Sequence, residues 1–323
     1  MARPRCGGHR RAALQRRGVG TIAPGSGWQT EAKKIPCITR FAPSPTGYLH
    51  LGHAFSALRT AAAAEAVGGR FLLRIEDIDS ARSRPQFEAA IYEDLAWLGL
   101  SWEMPVRRQS KHLDVYQQAL ETLAARSLIY PCFCSRREIR AEIARAGAAP
   151  HGSAGPVYPG TCRVLDENIR AERIAAGDAY ALRLDVARAS AETGPLVWHE
   201  RGRGDIAGDA ASHGDVVLAR KETPASYHLA VTLDDHLQGI TLVTRGEDLF
   251  EATHIHRLLQ ALLELETPLY AHHELLHDQS GRRFAKRDQA LTLRQLRTGG
   301  HSAEALREIL AKPADLSAFL ESL

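Results

Sequence analysis

No apolar run in this chain approaches the roughly 18 residues that a membrane-spanning helix requires, which excludes a helical membrane protein. A secretory signal is missing as well, because the first 34 residues contain no apolar core. Nor does an acidic residue occur before Glu31. What the 323 residues do hold is 44% hydrophobic side chains, enough to bury a sizeable core in more than one domain. The net charge of +3 is unevenly placed. Six arginines and two lysines face Glu31 alone in residues 1–34, giving +7, and the other 289 residues carry 33 basic and 37 acidic groups, giving −4. A mildly acidic body of that kind meets nucleic acid through a local basic surface, and such binding weakens with salt.

Residues 1–34 are rich in arginine, glycine and alanine and show no apolar period, so a disordered basic extension is expected there. An organellar transit peptide shares this composition. The alanine and arginine bias runs through the whole chain, however, as in proteins of GC-rich genomes. The reading is a floppy or misassigned start in a bacterial cytoplasmic protein.

The most specific stretch is RFAPSPTGYLHLGHA, Arg40 to Ala54. Cys37 to Phe41 is short and apolar enough for a buried strand, Pro43 and Pro45 end it, and Gly47 lets the backbone bend before an alanine-rich helix predicted to run to about Val67. The helix then presents unpaired N–H groups and the positive end of its dipole to the turn. His50 and His53, three apart, are expected on nearly one face, aimed at an anion such as a triphosphate. Taken alone, HxxH passes for two surface histidines. A second strand is predicted for Arg70 to Ile75, and it delivers RIEDID, Arg74 to Asp79, at its C-terminal end, where open α/β sheets bind ligands. Alone, that acidic cluster passes for a solvated turn.

Helices are predicted for Pro85 to Leu98, Ser110 to Arg126 and Asp166 to Ala176, and near Leu291 to Arg297 and Ala303 to Leu310. Strands are predicted for Tyr180 to Asp185 and Asp215 to Arg220. Tyr227 to Leu233 and Ile240 to Thr244 alternate in the manner of buried strands. By themselves Tyr227 reads as core and Arg245 as a surface charge.

Cys132 and Cys134 form a CxC pair, Tyr158 follows 24 residues after Cys134, and Cys162 comes four residues later. By spacing alone, reduced buried cysteines account for this as well as a metal does. Three thiolates and a phenolate can nonetheless complete a closed tetrahedral zinc site of the structural kind. Ser135 and Glu138 make a capping box for a helix predicted over Arg136 to Ala146, and a loop returns Tyr158 and Cys162. Cys6 and Cys37 receive no role.

The stretch Arg40 to Ala54 resembles the HIGH signature of class I aminoacyl-tRNA synthetases in the form typical of the bacterial glutamyl group, whereas glutaminyl and archaeal or eukaryotic glutamyl enzymes differ where this chain has Ala42 and Ser44. The resemblance covers about Ile35 to Leu310. It implies an α/β, Rossmann-like catalytic domain with a parallel sheet in two halves, 35–130 and 221–276. Between them comes a zinc-stapled, acceptor-stem-like insertion, 131–220, and a signature loop with short helices follows at 277–323. Glutamate would be bound by Arg40, Phe41, Ala42, Pro43, Ser44, Glu76, Tyr227 and Arg245, with Glu76 on the ammonium group. Tyr227 matches the tyrosine of YxLAxxxDD and Arg245 the arginine of RGxDL. The two arginines suit a dicarboxylic substrate, but the sequence leaves open which takes the side-chain carboxylate. ATP with magnesium, as substrate, would meet His50, Gly52, His53, Arg283 and Lys286. In GRRFAKR, Gly281 to Arg287, Lys286 matches the second lysine of the KMSKS loop, Arg283 replaces the first and Ala285 replaces the serine. The set Cys132, Cys134, Tyr158 and Cys162 is similar to the family's zinc module, which implies one structural zinc per chain.

Only 37 residues follow Lys286, too few for the anticodon-binding domain of a full synthetase. The likeness is therefore to the branch of the family without that domain. It implies a monomer that transfers glutamate to queuosine in tRNA(Asp). A truncated synthetase charging tRNA(Glu) and a non-catalytic glutamate- or RNA-binding paralogue remain as alternatives. If Lys286 stabilises the charge that develops on departing pyrophosphate, Lys286→Ala lowers the rate of adenylate formation by about one to three orders of magnitude. An unchanged rate in a pyrophosphate-release assay would remove the loop from catalysis.

Overall fold

The order of the strands follows from which side chains must be buried. β1 (Ile38–Phe41) is buried along its whole length and pairs in parallel with β2 (Arg70–Ile75), Ile38 opposite Arg70 and Phe41 opposite Leu73. Two-sided burial of a short apolar strand is what a parallel sheet covered by helices demands. The crossover between them is α1 (Leu51–Glu65), whose Ala54, Ala57 and Ala64 are buried and let the helix lie close to β1, β2 and a later strand. α2 (Pro85–Trp97) starts with proline in its first turn, a position whose N–H is unpaired anyway. β3 (Arg107–Arg108) then adds to β2 in parallel, and α3 (Leu113–Ala125) follows a 3-10 turn. The computed structural model describes residues 36–139, 151–152, 155–276 and 291–311. Among them no helix is long and apolar enough to cross a membrane.

A second sheet is antiparallel. Its members are β4 (Ile129–Cys132), β7 (Ala181–Leu184) and β10 (Val217–Arg220), with β7 in the middle. Between β4 and β7 lie the two-residue strands β5 (His151–Gly152) and β6 (Gly155–Pro156) and the helix α4 (Glu167–Ala175), capped by the Asp166 carboxylate. The capping box expected at Ser135 and Glu138 forms in both directions. Of the helix expected over Arg136 to Ala146, residues 136–139 are helical and the rest lies outside the described residues. α5 (Val186–Thr193) follows β7.

The chain then returns to the first layer. β8 (Val197–Glu200) and β9 (Gly204–Ala207) form a hairpin, and β8 joins β12 (Leu269–His273) in parallel. β12 pairs in parallel with β11 (Leu242–Gly246). β8 and β9 have no counterpart in the sequence reading, and they fall inside the stretch 131–220 expected as an insertion. β11 runs beside β1: Thr241 N donates to Ile38 O at 3.0 Å, and Ile38 N donates to Thr241 Oγ1 at 2.8 Å. The chain leaves β1 toward β2 on one side and has β11 on the other, so the C-terminal ends of β1 and β11 flank a topological switch point.

One expectation is wrong. Tyr227 to Leu233 is not a strand but the start of α6 (Tyr227–Leu237), with the Ser226 hydroxyl accepting the Leu229 N–H as its cap. Seven consecutive residues, Leu229 to Asp235, are buried. A helix enclosed on every side shows no polar face, and so no 3.6-residue period. The following strand is β11, beginning two residues after the expected Ile240. α7 (Ala252–Leu262), α8 (Leu293–Thr298) and α9 (Ala303–Ala311) complete the described elements. The last two pack Leu293, Leu296, Leu306 and Leu310 into the core of α1, β2 and α2, and Arg297 pairs with Glu93 and Asp94.

α6 is buried together with two charges. Asp234 is fully buried and accepts from Arg107 Nε at 2.7 Å, Gln109 Nε2 at 2.8 Å and Tyr116 Oη at 2.9 Å. Asp235 accepts from Arg40 Nε and from Arg74 Nη1, each at 2.8 Å. The pair thus ties α6 to β1, β2, β3 and α3. Removing one partner of a buried ion pair strands the others, at about 3–5 kcal/mol. Asp234→Ala is therefore expected to lower unfolding free energy by about that amount in urea titrations, and a change below about 1 kcal/mol would contradict this role for the pair.

Candidate active site

A cavity of about 610 Å³ opens at the switch point. Its floor is the end of β1 and the turn behind it, Arg40 to Ser44, and its walls are the N-terminus of α1, Glu76 after β2, Tyr227 on α6 and Arg245 on β11. Glu76 N donates to Pro43 O at 3.1 Å, which fastens the two loops to each other. Of the thirteen residues expected to bind glutamate or ATP, the structure brings eleven to this one cavity. Arg283 and Lys286 lie outside the described residues.

His50 and His53 line the cavity, but by a different arrangement from a pair projecting off one helical face. His50 is the N-cap of α1, and its Nδ1 accepts the Gly52 N–H at 3.1 Å. His53 Nδ1 accepts the His50 N–H at 3.1 Å, and the rings lie 3.8 Å apart between centroids. Each imidazole that accepts at Nδ1 carries its proton on Nε2 when neutral. The histidines thus take up N–H groups at the helix start through their Nδ1 atoms. Gly52 leaves room for this contact, since a Cβ there would stand 3.0 Å from His50 Cε1 and push the ring aside.

The two arginines differ sharply in their surroundings. Arg40 turns its fork on Asp235, Nε to Oδ1 at 2.8 Å and Nη2 to Oδ2 at 3.2 Å, and donates from Nη1 to Thr244 O. Arg74, fully buried, bridges Asp235 and Glu76, donating to Glu76 Oε1 at 3.1 Å. Burial pushes the Asp235 carboxyl up, yet Arg40 and Arg74 outweigh it and hold the group below its ordinary value. For Glu76, burial outweighs the pull of Arg74 and Arg40, and its carboxyl titrates higher than usual. Arg245, by contrast, meets only uncharged groups: His272 Nε2 at 3.0 Å, His256 Nδ1 and Tyr227 Oη at 3.2 Å, and Thr253 Oγ1 at 2.7 Å. Among the described residues no carboxylate joins it. Arg74, Asp235, Thr253, His256 and His272 were not singled out in the sequence; the DD of YxLAxxxDD was the one visible sign of the first pair.

At the end of β4 the Sγ atoms of Cys132, Cys134 and Cys162 lie within 4.8 Å of one another. Cys134 and Cys162 are 3.4 Å apart, and Tyr158 Oη is 3.4 Å from Cys132 Sγ and 3.6 Å from Cys134 Sγ. Four ligand atoms about 2.0–2.3 Å from a central ion stand roughly 3.4–3.8 Å from each other, so the donor set fits a tetrahedral metal. The N–H groups of Phe133 and Cys162 point at Cys162 Sγ and Tyr158 Oη, as second-shell donors to anionic ligands do. His213, Glu251 and His254 also gather. There His254 Nδ1 accepts the Asp209 N–H, so its proton sits on Nε2, the nitrogen a metal would need.

Residues 36–314 match the family described as tRNA synthetases class I (E and Q), catalytic domain. The glutamyl-Q tRNA(Asp) synthetase of Rhodobacter capsulatus is 52% identical over 279 residues, 84% of this chain and 99% of that one. Glutamate–tRNA ligase 2 of Acidithiobacillus ferrooxidans is 42% identical over 85% of this chain and 57% of its own length. Among solved structures, a glutamate tRNA ligase from Elizabethkingia meningosepticum in complex with its amino acid superposes with a TM-score of 0.70 at 28% identity. This chain spans 60% of that structure's length.

The raised Glu76 carboxyl has a pH consequence. Protonation there begins above the ordinary carboxyl value of about 4.3, so a primary-ammonium ligand loses its anionic partner as pH falls through that raised value. Calorimetric titrations between neutral and mildly acid pH are expected to show the loss, and Glu76→Gln to remove the pH dependence.

Proposed function

The chain belongs to the class I tRNA synthetases of the glutamyl and glutaminyl group, and from that premise we propose that it activates L-glutamate with ATP and passes the glutamyl group to queuosine in tRNA(Asp). The observation that carries the glutamate half is the charge pattern of one cavity. A carboxylate, Glu76, stands in it together with a buried arginine, Arg245, that no carboxylate among the described residues contacts. An amino acid with an ammonium at one end and an acidic side chain at the other matches both. The ammonium and the α-carboxylate share a carbon, so binding at Glu76 leaves the distant side-chain carboxylate for Arg245 and Tyr227. Arg40 is already engaged by Asp235, and it serves by fixing Arg74 and Glu76. The acceptor half rests on the relative with 52% identity.

In the first step an α-carboxylate oxygen of glutamate attacks the α-phosphorus of MgATP. The new P–O bond forms as the bond to pyrophosphate breaks. In the second, a hydroxyl of the queuosine cyclopentenediol attacks the acyl carbon and AMP leaves. Positioning supplies much of the rate in such reactions, and donors fixed in advance supply the rest. His50 and His53 at the helix start would meet the phosphates, and the family likeness assigns Arg283 and Lys286, outside the described residues, to the same task. Gly52 admits the close approach of His50. Phe41 to Ser44 shape the floor between ATP and amino acid.

Zinc suits the set Cys132, Cys134, Tyr158 and Cys162, where it would staple the end of β4 to the returning loop and take no part in the chemistry. Metal analysis of the purified protein is expected to find one zinc per chain, lost in Cys132→Ser. A folded, metal-free wild-type protein would contradict the site.

The function is tested by incubating the protein with ATP and radiolabelled glutamate, supplying in turn queuosine-containing tRNA(Asp), unmodified tRNA(Asp) and tRNA(Glu). Label on the queuosine tRNA alone is the expected result. Label on tRNA(Glu) would overturn the acceptor, and no label with any of them would overturn the reaction.

A further inference from the structure

The hydrogens around Arg245 can be placed without seeing them, because arginine only donates. His256 Nδ1 and His272 Nε2 both accept from its guanidinium, so neither nitrogen carries a proton and neither ring is an imidazolium. The His272 proton is then on Nδ1, which donates to Glu200 Oε2 at 2.8 Å, while Glu200 Oε1 accepts the His272 backbone N–H at 2.8 Å. The His256 proton is on Nε2 and donates to His228 Nδ1 at 3.2 Å. Burial, reinforced by Arg245, pushes His272 down to about 4 and His256 well below its usual value. Glu200 is 1% exposed and stands one residue removed from the guanidinium.

Four of the five arginine N–H groups are thereby engaged, every one by an uncharged acceptor. One N–H on Nη2 and the hydroxyl proton of Tyr227 remain for a ligand. A buried cation without an anion in contact costs several kcal/mol, and among the described residues no carboxylate touches Arg245, Glu200 being held off by the His272 ring. A ligand carboxylate offsets that cost. A carboxamide of the same shape brings no charge and does not.

We infer that His256, His272 and Thr253, with Glu200 and His228 fixing the tautomers, are positioning residues that hold Arg245 by neutral acceptors alone, and that this cage makes the cavity select an acidic side chain over its amide. The inference rests on Arg245 as the partner of the glutamate side chain. It adds what confers the selectivity and how it can be removed: a carboxylate supplied by the protein at this point replaces that of the substrate.

Thr253→Asp does so with little change of volume. Position 253 is in the first turn of α7, where an acid suits the helix dipole, so the variant is expected to fold. Calorimetric titration of the full chain with glutamate and glutamine is expected to show glutamate weakened by about tenfold or more in Thr253→Asp, with glutamate-over-glutamine preference reduced to match. Thr253→Asn disturbs the same contact without adding charge, so it is expected to weaken glutamate and glutamine alike and to keep the preference between them. Equal losses of that preference in both variants, or no loss in Thr253→Asp, overturn the inference. Arg245→Met separates the two levels: if it leaves glutamate binding unchanged, the reading of Arg245 fails and the cage with it. A measurement on the wild-type protein needs no variant to fold. Nitrogen-15 imidazole spectra are expected to show His256 and His272 neutral from pH 8 to about 5.5, with the His272 proton on Nδ1. Titration of either near its ordinary value, or an Nε2 proton on His272, overturns it.

Discussion

Two adjacent carboxylates on α6, Asp234 and Asp235, hold the catalytic layer in register. They draw Arg40 from β1, Arg74 from β2 and Arg107 from β3 onto one helix that comes nearly 200 residues after the first of these strands. Three cations, the buried Arg40 and Arg74 and the half-buried Arg107, face three carboxylates once the half-buried Glu76 is counted, so the network closes without net charge. Ion pairs of this kind add little to stability over an apolar core. What they add here is placement. Asp235 fixes Arg74, Arg74 fixes Glu76, and Glu76 stands in the cavity wall with a carboxyl that burial keeps easier to protonate than an exposed one.

The same accounting separates two arginines that look alike. Arg40 has a protein partner for its charge and Arg245 has none among the described residues. A site with one committed and one uncommitted cation can hold an amino acid in one direction. In the proposed reading its ammonium goes toward Glu76 and its acidic end toward Arg245, which leaves the α-carboxylate beside the turn after β1 and the capped start of α1. That is the orientation in which a carboxylate oxygen meets the α-phosphorus of ATP. Neutral imidazoles around Arg245 then become part of the chemistry, since a protonated ring there could not accept from a guanidinium and would repel it.

Much of this was legible beforehand, and the failures have physical causes. β1, α1 and β2 are local: proline, glycine and a short apolar strand write their boundaries within 40 residues. Spacing alone left Cys132, Cys134, Tyr158 and Cys162 as consistent with reduced buried cysteines as with a metal, and it took the family likeness to set them together; the structure gathers the four. Tyr227 was placed in the right cavity on the wrong element, because a helix buried on all faces imitates the apolar alternation of a strand. Arg40 showed its cation but not its partner, since Asp235 is 195 positions away. β8, β12 and the cage of His256, His272 and Glu200 left no signal, for a buried histidine and a surface one read the same until their neighbours are known.

The most direct test is a crystal structure of the protein with glutamate bound. The account predicts the side-chain carboxylate against Arg245 Nη2 and Tyr227 Oη, and the ammonium within hydrogen-bond distance of Glu76. Glutamate reversed, with its α-carboxylate on Arg245, or bound outside this cavity, would contradict it.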